Sequence, residues 1–152
     1  MAVKSYYINP ECFGVGLEGT DNNNCSVRAL ANATAKPIHE CYAVLAKYGR
    51  QRFKGATADI YFQAYKEAGL TWVGFFGTSK EAKRRAIYGA VAAGHAKMPR
   101  YAGMTIGTFL KVYSTGTFIV CIAGHLFCVK NGAIIDSHAN LSSSRVLSLW
   151  KV

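Results

Sequence analysis

Cys25, His125 and Asp136 stand in local settings that suit thiol chemistry. Cys25 follows Asp21-Asn22-Asn23-Asn24, four residues of helix-capping type. It precedes Val27, Leu30, Ala31 and Thr34 at the three- and four-residue spacing of one helical face. The sulfur is therefore expected in the first turn of a helix, where unpaired backbone N–H groups and the positive end of the dipole favour the nucleophilic thiolate. A thiol of this kind needs a base. Of the four histidines (His39, His95, His125 and His138), His125 is the best placed, following Gly124 between two apolar runs. The second run leads into Asn131-Gly132, a strong signal for a two-residue hairpin loop. With those residues as the loop, Lys130 pairs with Ala133 and Phe127 with Asp136, so His125, Phe127 and Asp136 share a face. Asp136 is then the diagonal neighbour of His125, at roughly 7–8 Å between Cα atoms, which a histidine–carboxylate hydrogen bond can bridge. Such a carboxylate fixes the imidazole tautomer and supports its charged form. His138 and Asn140 are alternative orienters, whereas His39 and His95 are read as surface residues on helices without a catalytic part.

These three side chains depend on the elements that carry them. Pro37 suits the first position of a second helix with Ile38, Cys41, Tyr42, Leu45 and Tyr48 on one face, closed by Gly49. A third helix is expected from about Ala58 to Glu67, then a buried strand from Leu70 to Phe76. Thr78-Ser79-Lys80-Glu81 fits a capping box that opens a helix to about Ala92, with Glu81 reaching back to the Thr78 backbone. After a loop from Gly94 to Gly103, Thr105 to Tyr113 reads as a short helix. Thr117–Ala123, Leu126–Lys130, Ala133–Ile135 and Val146–Val152 are rich in the Val, Ile, Phe and Trp of strands, and a short strand is expected near Lys4 to Ile8. The class expected is α+β, helices first and an antiparallel sheet last, in one domain over 1–152.

Eighteen Lys and Arg against eight Asp and Glu give a net charge of +10, while 51% of residues are hydrophobic, so the chain is a folded basic protein. Five cysteines (Cys12, Cys25, Cys41, Cys121 and Cys128), none spaced as CxxC, suggest neither a disulfide framework nor a zinc site. Reduced thiols and a cytoplasmic location are the simple expectation. The N-terminal residues lack the apolar core of a signal peptide. The longest apolar stretch, Phe118 to Val129, is short of the ~18 residues of a membrane span.

Together, Asn23-Asn24-Cys25-Ser26-Val27-Arg28-Ala29-Leu30-Ala31 and Gly124-His125 through Asn131-Gly132 to Asp136-Ser137 resemble the papain-like cysteine peptidase superfamily. Its members carry the cysteine at the start of a central helix and the histidine and acid on the sheet that follows. The first stretch is also similar to the cysteine helix of ovarian-tumour-type deubiquitinases, and the whole to small papain-like proteins of bacteriophages. The resemblance implies the papain-like fold, with the cysteine helix packed on a C-terminal antiparallel sheet. It also implies a site for the oxyanion. The Gln that many members carry six residues before the cysteine is here Gly19, and the deubiquitinase position three before it is Asn22, so Asn22, with Asn23 next to it, is expected in that role.

The activity expected is hydrolysis of a protein or peptide substrate through an acyl-enzyme, with neither metal nor organic cofactor. Acyl transfer or deamidation on the same site is an alternative. A further one is a catalytically idle binding module that engages nucleic acid or an acidic protein through Lys83, Arg84 and Arg85.

Overall fold

A computed structural model of the chain describes residues 5–6, 23–51, 53–136 and 143–152, the first pair as backbone alone. The elements in order are β1 (Ser5–Tyr6), α1 (Cys25–Thr34), α2 (Ile38–Lys47), α3 (Ala58–Glu67), β2 (Thr71–Phe75) and α4 (Lys80–Ala92), then α5 (Ile106–Val112), β3 (Thr117–Ile122), β4 (His125–Lys130), β5 (Ala133–Ile135) and β6 (Ser148–Lys151). The class is α+β. The strands form one sheet in the order β1-β5-β4-β3-β6-β2, antiparallel except for the parallel pairing of β1 with β5.

The sheet is covered on both faces. Along β3, Ile119 and Cys121 point into a core shared with α1 to α4, while Phe118, Val120 and Ile122 point into a second core closed by Ile106, Phe109 and Leu110 of α5. A strand buried on both sides has no polar face, which is why β3 and β4 read as unbroken apolar runs. In the first core Trp150 of β6 meets Tyr61, Phe62 and Tyr65 of α3 edge-on, with ring centroids 5.6, 4.9 and 5.2 Å apart. That contact fixes the helical layer to the sheet. The helix that carries Cys25 lies across β4 and β3 in the same core.

Several local expectations are corrected. The sheet is not confined to the C-terminal part, because β2, between α3 and α4, pairs with β6 at one edge. Ser79, one residue later than expected, caps α4 by accepting from the Ala82 N–H at 3.1 Å, and Glu81 turns away to Arg85. Asn24 is the N-cap of α1 without a side-chain cap, since its amide donates to the Tyr42 hydroxyl at 2.9 Å. Pro37 stands at the N-cap of α2, one position before the first turn, and the strand expected from Leu126 begins at His125. Near the N-terminus only Ser5–Tyr6 of the expected strand is among the described residues. Among the described residues, no helix is long and apolar enough to cross a membrane.

Candidate active site

Packing of α1 on β4 sets the first residue of the helix against the first residues of the strand. The thiol of Cys25 sits beside His125 and the backbone N–H groups of Leu126 and Ser26, all of which favour its thiolate. His125 in turn lies 2.6 Å, Nε2 to Oδ2, from the carboxylate of Asp136. With Nε2 turned to the carboxylate, Nδ1 is the nitrogen left to face the sulfur. The ring is braced by Phe127 two residues on, stacked at 5.7 Å between centroids.

The hairpin does what its loop chemistry dictates. Asn131 and Gly132 both have positive φ, 48° and 75°, as a type I′ turn requires. Lys130 pairs with Ala133, Val129 with Ile134 and Cys128 with Ile135. Asp136 follows directly after β5, 7% exposed, on the side of the sheet that His125 and Phe127 face. Asn131 also ties the turn to the start of β3, exchanging hydrogen bonds of 2.9 Å with Gly116 through its backbone N–H and its side-chain oxygen.

The electrostatics follow from these contacts. Burial alone would push the Cys25 thiol up. The hydrogen bond with His125, the Leu126 N–H, the imidazole charge and the Ser26 N–H outweigh it, and the thiol is held below the ordinary cysteine value. Burial would likewise lower His125, but the Asp136 carboxylate and the sulfur outweigh it and raise the imidazole to about 9. Both shifts run toward a thiolate–imidazolium pair. Cys121 shows the contrast: buried without a base, its thiol is pushed up to about 12.

Cys25 and His125 open onto a cleft of about 660 Å³ between α1, α3 and α4, the Gly55–Ala58 segment and the strand ends. Asn23 lines its rim, donating its amide to the Phe53 carbonyl at 2.8 Å and accepting from Arg50 at its own carbonyl at 3.0 Å. Asn22, Gly19, Cys12, His138 and Asn140 lie outside the described residues. The Asn24 carbonyl takes the N–H groups of Val27 and Arg28, so the N–H of Cys25 itself is left at the mouth of the helix as a first-turn donor. His39 is exposed on α2, and neither it nor His95 lines the cleft. His95 is not on a helix; it follows α4, and its ring packs on Trp72 at 5.1 Å.

Of the basic trio, Arg84 and Arg85 are exposed and Lys83 is half-buried, and Arg85 also lines the cleft. Arg28, Tyr61 and Arg85 were not expected in the cleft. Arg28, three residues after Cys25 and so on the same helical face, was legible from spacing alone; Tyr61 and Arg85 depend on how α3 and α4 pack. In comparisons with known proteins, no family model, curated protein or solved structure matches the chain.

Proposed function

We propose that the protein is a cysteine-dependent acyl hydrolase, a peptidase or isopeptidase built on a papain-like plan. The observation that carries this reading is the relay itself: a thiol held below its ordinary pKa beside an imidazole, and that imidazole 2.6 Å from a buried carboxylate at the mouth of a cleft. The Cys25 thiolate attacks the substrate carbonyl, and the Cys25 N–H stabilises the oxyanion, with Asn22 as the second donor that the sequence suggests. Imidazolium His125 protonates the leaving amine, then as neutral imidazole draws a proton from water, which releases the acyl group from sulfur. Asp136 holds the ring throughout. Nucleophile at the helix start, histidine and acid on an adjoining hairpin, and helix packed on an antiparallel sheet are the features shared with the papain-like superfamily.

The direct test is incubation of the protein with a mixed peptide pool, new termini being read by mass spectrometry. Wild type should create termini that Cys25→Ala and His125→Ala do not. Equal cleavage by Cys25→Ala would remove the hydrolase reading, and conversion of Gln to Glu without new termini would assign deamidation to the same thiol.

A further inference from the structure

The cleft in front of Cys25 has an uneven charge. Arg28 reaches it from α1, one turn beyond the cysteine, and Arg85 from α4, while none of the described residues that line it is acidic. On α4 the cleft-lining positions are Ala82, Arg85, Ala86 and Tyr88, so two small side chains leave room beside the long cation and the aromatic ring. The only carboxylate bonded to Arg85 in the described residues is Glu81, one turn back, at 2.6 Å with both side chains largely exposed. A solvent-exposed pair of this kind is worth little and exchanges readily for another carboxylate. The charge of Arg85 also reaches the inner wall: burial raises both Tyr61 and Cys121, and Arg85 offsets part of that rise in each. The wall also carries the aromatic side chains of Tyr61, Phe62 and Phe75.

We propose that Arg85 makes the cleft selective for acyl substrates that carry a carboxylate close to the scissile carbonyl. The reading rests on Cys25 as the nucleophile, and it assigns the substrate class. The carboxylate enters beside α4, displaces Glu81 from Arg85, and so brings the carbonyl over the sulfur. An acidic side chain and a free C-terminus present the same group. An excess of cations over the whole chain, 18 Lys and Arg against 8 Asp and Glu, favours the approach of such a substrate from a distance.

The test uses two alkylating agents of nearly equal size, iodoacetate and iodoacetamide, which differ in one negative charge. Both transfer their CH₂ carbon to the Cys25 sulfur with loss of iodide, and the modified peptide is quantified by mass spectrometry. The ratio of the iodoacetate rate to the iodoacetamide rate at Cys25 should exceed that of Arg85→Gln by about three- to tenfold at low salt, and the excess should shrink as salt approaches about 0.5 M. Arg85→Lys should keep most of it. A ratio unchanged in Arg85→Gln overturns the selectivity. An iodoacetamide rate at Cys25 no faster than at Cys12 instead counts against the nucleophile, and the ratio still reads the field of the cleft. Peptides containing Glu with amidated C-termini, set against Gln peptides with free C-termini, separate the two sources of carboxylate. Preferential cleavage of peptides with neither contradicts the proposal.

Discussion

Asp136 accepts from His125 at 2.6 Å while only 7% exposed, so Asp136→Asn keeps the shape of the contact and removes its charge. A hydrogen bond to a charged partner contributes about 1.5–3 kcal/mol, so hydrolysis by Asp136→Asn should fall by roughly ten- to a hundredfold at neutral pH. Peptide cleavage assays decide this, and a loss of less than twofold would remove Asp136 from the relay. At this scale much was legible. A cysteine after four capping residues and a two-residue loop of Asn-Gly type are local signals, and one turn type is enough to fix which residues of two strands face each other. Asn24 was not legible as it stands, because capping propensity says nothing of Tyr42, a residue from another helix that takes its amide instead.

Between elements, Gly89 allows α4 to approach α3. A Cβ at that position would come within 2.3 Å of Phe62, which is held in turn by Trp72 and Trp150 at 5.1 and 4.9 Å. Alanine favours a helix over glycine by about 1 kcal/mol, whereas overpacking a core costs about 1–3 kcal/mol and the pinned ring has little room to give. Gly89→Ala should therefore be destabilised by up to roughly 2 kcal/mol in urea unfolding. A gain of stability would show that Phe62 yields and that the helices are not in close contact there. The helices themselves were readable from spacing, α3 from Ala58 to Glu67 among them, because a single amphipathic face is a local pattern. The capping of α4 was misplaced by one residue because Thr78 and Ser79 are both good caps and Glu81 has a second partner in Arg85.

Over the whole molecule, Cys25 and His125 are a hundred positions apart and meet only because α1 packs on β4. No sequence period carries that contact. The place of β2 at the sheet edge beside β6 and the covering of the second face by α5 were hidden for the same reason: a strand buried on both sides shows only an apolar run, which does not say what lies above and below it. Since the pair is made by the tertiary fold, the enhanced reactivity proposed for Cys25 should disappear with that fold. Through a urea titration, the excess reactivity of Cys25 toward iodoacetamide should be lost in the same transition as the fluorescence of Trp72 and Trp150, both within the core that holds α1. Loss of the thiol's reactivity well before the tryptophan transition would mean that α1 leaves the sheet on its own.

The most direct test of the relay is the pH profile of that alkylation at Cys25, in wild type and in His125→Ala. The thiol of Cys25 is depressed in the folded protein, so reactivity is lost only as pH falls through the lowered value, while His125, raised to about 9, stays charged across the neutral range. Wild type should hold a plateau that reaches below the ordinary cysteine value of 9.0, and His125→Ala should move the rise back toward it. A single rise centred near 9.0 in both proteins would contradict the pairing of Cys25 with His125.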